Sequence, residues 1–543
     1  MARIKLRYVT LLSILSGLLL WLAWPPLKVN FFIFIAIVPL LFIEESIRQR
    51  ESRFGAAILL YNVFSAFLIW NLLTTYWIYY ASFVGAVAAI LLNSLLMSLP
   101  FLLYHKLKIV RKGNASILFL VCFWLGYEFL QLNWDLAWPW LTLGNVFATI
   151  PGWVQWYEFT GVLGGSLWIW LVNILIYSVI RRSFEKGKTA LTSMRLFIRI
   201  GQLALLIIIP IIVSLLIPKA DEKILNDNVV LVQPNIDPYT DKFSDGNFTS
   251  QLKILLDLSE REIDSNTTLL VWPETALSIP FDEKNLNYNA YIFKIRQFLE
   301  QYPKLKLIAG IDAYRFYEKD EKLSPTARLY PFDSSWYESY NAAILMDHTS
   351  YYEMYHKSRL VPGVEKMPYP KLFKFLEKLA LNLGGTSGSL GKQMEPSVFV
   401  INEKLTAAPI ICYESIFGDY VGKFIQKNAN LIVVITNDGW WRNTSGYKQH
   451  LHYARLRAIE FRKDVARAAN TGVSCYINSE GQILDQTEFW KEGVIKHSIS
   501  ISEDLTFYAK MGDYIGRIAS FLSVVLILIL ISASLRKKDV MGI

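Results

Sequence analysis

Cysteine and histidine are scarce in this chain, with three and six residues among 543. With one cysteine in an apolar run (Cys122) and two in a polar segment (Cys412, Cys475), a single disulfide is the most the chain can form, so no disulfide framework holds it. No metal-binding constellation appears. His450 and His452 stand two apart in a predicted helix and do not face the same way. The glycine-rich run 384–389 lacks the Gly-Lys-Ser/Thr ending of a phosphate loop and no strand directly precedes it, so a surface loop is expected there. There is no fixed-period repeat and no low-complexity linker. These absences leave no metal, no nucleotide cofactor and no disulfide scaffold to be explained.

Hydrophobic residues are abundant instead, at 53% of the chain with 17 Trp. Crossing about 30 Å of hydrocarbon takes roughly 20 apolar residues, and eight runs qualify, near 8–26, 29–44, 56–79, 82–104, 115–132, 160–180, 197–217 and 515–535. The first has a basic start but no small-x-small cleavage site before Trp24-Pro25-Pro26, so it is expected to be retained. Basic residues cluster in every second loop: Arg3, Lys5 and Arg7; Arg48, Arg50 and Arg53; Lys106, Lys108, Arg111 and Lys112; Arg181 to Arg199; Arg536 to Lys538. The opposite loops before residue 218 hold only Lys28, and 133–159 has neither Lys nor Arg. Lys and Arg in short loops stay cytoplasmic, so both termini are expected in the cytoplasm and the polar segment 218–513 on the outer side. The formal charge of +9 therefore reports topology, and a nucleic-acid surface is disfavoured. The expected domains are 1–217 with seven spans, 218–513 as an exported catalytic domain, and 514–543 with the eighth span and a tail.

In the exported segment, short Val/Ile-rich runs alternate with amphipathic stretches, which predicts an α/β layered domain. Strands are expected at 228–232, 268–272, 306–311, 341–346, 397–401, 407–411 and 431–436, and helices at 248–263, 287–300, 370–381, 415–426 and 446–462. Three strand-like runs end in reactive groups: Pro273-Glu274-Thr275, His356-Lys357-Ser358 and Cys412-Tyr413-Glu414. Strand ends are where α/β domains place their sites. Cys412 is expected at a helix N-terminus, which would lower its pKa and favour the nucleophilic thiolate. A thiol attacking an ester or amide needs a base, and its tetrahedral intermediate needs a positive group. Glu274 and Lys357 supply them.

The order Glu, Lys, Cys in these motifs resembles the carbon-nitrogen hydrolase, or nitrilase, superfamily. Eight spans with a domain between the seventh and eighth narrow the resemblance to the apolipoprotein N-acyltransferase family. Leu360-Val361-Pro362 with Glu365 and Pro368 is similar to that family's Leu-Val-Pro-Phe-Gly-Glu-Tyr-x-Pro stretch. Cys412-Tyr413-Glu414 keeps its Cys-Tyr-Glu core, Asn437-Asp438-Gly439-Trp440-Trp441 resembles its Asn-Asp-Ala-Trp-Phe loop, and the stretches 449–457 and 467–472 match as well. Trp138-Pro139-Trp140-Leu141 resembles its Pro-Trp-Leu segment. The chain departs where Gly363-Val364 replaces Phe-Gly, where Lys366 follows Glu365, and where Phe243 stands near an expected Trp.

The resemblance implies an αββα sandwich joined to a membrane helical bundle in a bacterial inner membrane, with the catalytic domain periplasmic. It also implies ping-pong chemistry without a cofactor. Glu274 deprotonates Cys412, the thiolate takes an acyl chain from a phospholipid while Lys357 and backbone N–H groups hold the oxyanion, and the thioester passes to the α-amine of a diacylglyceryl-modified apolipoprotein. Glu365, Glu414 and Tyr413 are the expected supporting residues. Phe243, Trp440, Trp138 and Trp140 are expected to line substrate, and one copy of the chain is expected to suffice. The triad alone equally suits a membrane-tethered amidase or nitrilase that uses water as acceptor.

Overall fold

The computed structural model describes residues 5–111, 115–186, 194–219, 223–244, 246–331, 333–369 and 389–541. The expected helix at 370–381 and most of the glycine-rich run lie outside the described residues. The chain divides into two compact units: Met1–Trp77, Ala86–Ile217 and Met511–Ile543 form one, and Ile78–Gly85 with Pro218–Lys510 forms the other. The second unit takes in the polar segment after residue 217 together with eight residues that follow the helix Gly55–Thr75.

The first unit is helical. Among the described residues, seven helices have the length and apolarity to cross a membrane: Leu6–Ala23, Asn30–Arg48, Gly55–Thr75, Phe83–Val110, Tyr157–Phe184, Leu196–Leu216 and Tyr514–Leu535. The expected fifth span forms a shorter apolar helix, Leu118–Asn133. Helices close all their backbone hydrogen bonds internally, which is what hydrocarbon demands. Many outward side chains are large and apolar, such as Phe197 at 75% and Phe521 at 69% exposure, a surface suited to lipid and costly in water. Polar side chains turn inward and pair. Ser13 donates to Asn62 at 3.1 Å, and Asn93 joins Asn71 and Tyr127 at 2.8 and 2.6 Å.

The second unit is built on β1 (Lys223–Gln233), β2 (Thr267–Val271), β3 (Leu277–Asp282), β4 (Lys306–Phe316), β5 (Arg328–Leu329), β6 (Trp336–Met346), β7 (Tyr352–His356), β8 (Phe399–Val400), β9 (Thr406–Ile411), β10 (Leu431–Thr436), β11 (Asp464–Ala469), β12 (Cys475–Ile477), β13 (Ile483–Gln486) and β14 (Gly493–Ile501). One sheet runs β14-β1-β2-β4-β6-β5, with β3 on β4 and β7 on β6; the other runs β13-β12-β11-β10-β9-β8. The central pairs β1-β2, β2-β4, β9-β10 and β10-β11 are parallel. Parallel strands covered on both faces read as unbroken apolar runs, and every residue of Leu431–Thr436 is buried. Helices Phe248–Glu260 and Ala290–Glu300 cover the first sheet through Leu252, Leu255, Ile292 and Ile295. The buried faces of Gly418–Ile425 and Ser445–Phe461 belong with the second sheet. The sheets are stitched together by Tyr476 Oη, which donates to Val229 O at 2.6 Å, and by Ser474 N, which donates to Gln233 Oε1 at 2.9 Å. The result is an αββα sandwich.

Strand β4 presses against the turn after β2. A Cβ on Gly310 would stand 2.3 Å from Thr275 N and 2.5 Å from Glu274 Cα, so only glycine lets this backbone approach. Thr275 itself takes φ 48°. Gly310→Ala should therefore push the Glu274 turn off β4. The expected outcome is a loss of about 1–3 kcal/mol of stability together with reduced activity. Thermal unfolding and a turnover assay on the purified variant check both, and wild-type behaviour in each would contradict the packing argument.

Candidate active site

Three strands deliver the three reactive groups to one place. Glu274 follows β2, Lys357 follows β7 directly, and Cys412 follows β9. The Glu274 carboxylate is 5% exposed and Lys357 1% exposed. Lys357 Nζ lies 3.0 Å from Glu274 Oε1 and 2.8 Å from Glu365 Oε1. Asn341 Nδ2 donates to the same two oxygens, at 2.8 and 3.0 Å. Glu274 Oε2 accepts from Asn437 N at 3.1 Å, and Glu365 Oε2 from Val361 N at 2.8 Å. One ammonium thus sits between two carboxylates that are braced on their far sides.

Burial alone would raise the Glu274 pKa, but the Lys357 charge and the hydrogen bonds from Asn341 and Lys357 outweigh it and hold the carboxyl below its usual range. For Lys357 burial works downward, and the charges of Glu274 and Glu365 overcome it to hold the amine well above its usual value. Both groups are therefore ionised at neutral pH.

Cys412 departs from expectation. It opens a short 3-10 turn, Cys412–Ile416, and the α-helix begins only at Gly418. A single 3-10 turn supplies little of a helix dipole. The thiol is pushed up from its usual value, chiefly by burial and then by the Glu274 charge, with Lys357 working the other way. The resting group is thus a thiol rather than a preformed thiolate, and its proton must leave to a base during attack. Cys412 and Cys475 are both free.

The other expected residues fall into two groups. Glu414 reaches the backbone beyond Lys357 rather than its ammonium: Oε1 accepts from Ser358 N at 2.7 Å, Arg359 N at 3.2 Å and Tyr355 Oη at 2.6 Å, and Oε2 from Ile411 N at 2.9 Å. It ties the Lys357 and Cys412 segments together. Tyr413 is 4% exposed and packs edge-on against Phe417 at 5.1 Å. Phe243 and Trp440 stack with centroids 6.2 Å apart, Phe243 being 53% exposed. Trp138 and Trp140 belong to the helical unit, where they stack at 5.6 Å and Trp140 is buried against Trp77.

Two participants escaped the sequence reading. Asn341 opens the predicted strand 341–346, where a polar residue reads as an ordinary strand boundary. Lys242 is buried, and its Nζ donates to Glu274 O at 2.8 Å. Burial lowers this amine to about 7, against the opposing charges of Glu274 and Cys412. Its one sequence signal is its position beside Phe243.

The carbon-nitrogen hydrolase family model matches residues 228–503, and the chain belongs to that family. The apolipoprotein N-acyltransferase N-terminal domain matches residues 16–175, so with both domains in one chain the protein falls in the apolipoprotein N-acyltransferase branch. A relative of that name from Chlorobaculum tepidum is 29% identical over 97% of this chain and 97% of its own length. Another from Geobacter metallireducens is 28% identical over 93% and 91%. Among solved structures, an amidase from Nesterenkonia sp. matches at 15% identity and a TM-score of 0.36, covering 55% of this chain and 97% of its own.

The charges around the thiol give a signed expectation. Alkylation of Cys412 by iodoacetamide, followed by peptide mass across pH, should have its midpoint above that of a free thiol, about pH 8.5. Glu274→Gln removes the charge that raises the thiol pKa and should move the midpoint down. Lys357→Met removes the charge that lowers it and should move the midpoint up. A wild-type midpoint at or below the free-thiol value would contradict the electrostatic picture.

Proposed function

We propose that the chain acylates the N-terminal α-amine of diacylglyceryl-modified apolipoproteins, drawing the acyl chain from a phospholipid through a thioester on Cys412. The single observation that carries the mechanism is the buried Lys357 ammonium shared by Glu274 and Glu365. Glu274 takes the Cys412 proton as sulfur attacks the ester carbonyl, and Lys357 offsets the developing oxyanion charge. The ester C–O bond then breaks, lysophospholipid leaves with a proton, and the acyl group stays on sulfur. In the second half the acceptor amine attacks the thioester carbonyl, loses a proton to Glu274, and Cys412 leaves as the thiol.

Both substrates carry fatty chains, so a membrane unit brings them to the site without exposing those chains to water. The basic loops favour eight spans, with the catalytic segment inserted between the seventh and eighth on the periplasmic side of the inner membrane and both termini in the cytoplasm. The stacked pair Phe243 and Trp440 is the proposed lining for lipid, and a single chain supplies every group named.

Intact-mass spectrometry of the purified protein with phospholipid tests the reading. Wild type should gain one acyl mass that hydroxylamine removes, Cys412→Ser should gain none that hydroxylamine removes, and adding a diacylglyceryl peptide should discharge the wild-type adduct onto the peptide. Release of free fatty acid with no peptide acylation would show instead that water is the acceptor.

A further inference from the structure

We propose that Ser415, His450 and Asp438, anchored by Arg467, form a buried relay that holds the Cys412 backbone in its left-handed turn and so positions the nucleophile. This rests on Cys412 being the reacting thiol.

Cys412 has φ 49°, a conformation that is costly for a residue with a Cβ and is kept only where the surroundings over-determine it. The Cys412 carbonyl oxygen is where they do so. Ser415 Oγ donates to it at 2.8 Å, and His450 Nε2 lies 3.2 Å from it and 2.9 Å from Ser415 Oγ. On its other side the imidazole presents Nδ1 to Asp438 Oδ1 at 3.0 Å. An ionised carboxylate only accepts, so Nδ1 directs a hydrogen to it, with Arg467 Nη2 a further neighbour of that nitrogen at 3.2 Å; with a hydrogen on Nε2 as well, the ring donates to the Cys412 carbonyl. Asp438 is pinned in turn: Thr436 Oγ1 donates to Oδ1 at 2.9 Å, Arg467 Nη2 donates to Oδ2 at 2.5 Å, and Arg467 Nη1 donates to Val473 O at 2.6 Å. Although burial works to raise it, the charges of Arg467 and His450 hold the Asp438 carboxyl well below the usual range.

Ser415, His450, Asp438 and Arg467 are each 0% exposed. The order Ser-His-Asp is that of a serine hydrolase, but a hydroxyl sealed from solvent cannot meet a substrate. Its hydrogen bond instead ends on the backbone of the cysteine. The four groups come from the 3-10 turn after β9, the 3-10 turn Asp438–Trp441 after β10, the helix Ser445–Phe461 and β11, so the Cys412 turn is referred to the second sheet and to the helix that follows β10. A small displacement of a nucleophile is costly, on the order of 100-fold for 1 Å.

The test uses the full-length protein in detergent with three readouts: single-turnover thioester formation from phospholipid, iodoacetamide alkylation of Cys412, and Tm. His450→Phe should slow both chemical readouts by at least about tenfold while the phospholipid KM stays within about twofold. His450→Gln, whose amide can still donate to the Cys412 carbonyl, should recover most of that loss. Should His450→Phe fail to fold, Ser415→Ala, which removes one donor of the same carbonyl, should slow alkylation by roughly threefold or more at a Tm near wild type. The proposal is overturned if folded His450→Phe, or Ser415→Ala in its place, alkylates at the wild-type rate. It is equally overturned if His450→Gln is folded yet no faster than His450→Phe. If wild type forms no hydroxylamine-labile adduct, the acyl-transfer reading fails, and alkylation still decides the relay.

Discussion

Almost everything at the site depends on one buried cation. Lys357 leaves water with its ammonium, and isolated burial of that charge would cost several kcal/mol. Two carboxylates, Glu274 and Glu365, share it, and Asn341 donates to the same oxygens from the other side. Taking away either carboxylate leaves the ammonium with half of its compensation. The arrangement therefore fixes where Glu274 stands relative to β6 and β7, and Gly310 lets the Glu274 turn lie close enough to β4 to meet it. Lys242 closes the set by holding the Glu274 carbonyl.

The same charges decide when the thiol becomes reactive. Burial and the Glu274 charge both hold the Cys412 thiol above its usual pKa, which in the proposed mechanism couples deprotonation to attack. That suits a protein working among lipids, where an idle thiolate would be exposed to oxidation. The helical unit follows the opposite physics. Among its described residues, polar side chains such as Ser13, Asn62, Asn71 and Asn93 lie inward and pair, while many exposed side chains are large and apolar. Two units obeying different solvents are thus encoded in one chain.

Much of this was readable from the sequence because continuous apolar runs announce buried strands. The apolar runs before Glu274 and Cys412 form strands β2 and β9, where strands were expected. What failed was local. The turn at Cys412 looked like a helix start, yet Phe417 at φ −92°, ψ 90° separates the 3-10 turn from the helix. Strand β11, Asp464–Ala469, reads as polar, but every residue in it is buried. Asp464 accepts from Ser479 N at 3.1 Å and Ser500 N at 2.8 Å, partners that lie far along the chain. His450 was set aside because periodicity compares it with His452, whereas its partners Asp438 and Ser415 come from other elements. Pattern reasoning sees neighbours along the chain, and tertiary hydrogen bonds do not leave a periodic trace.

The eight residues Ile78–Gly85 carry a consequence for how the catalytic unit can be handled. They precede the rest of that unit by more than a hundred residues, yet Tyr80 supplies an oxygen for Tyr239 Oη at 3.3 Å and a ring under the Arg442 guanidinium at 5.0 Å. Arg442 is also packed over Tyr239 at 5.3 Å, just past Trp440 and the Asp438 node. A gene fragment spanning only 218–510 therefore encodes an incomplete domain. Its missing piece is made early in synthesis, between two apolar helices, and waits for the remainder to be translated.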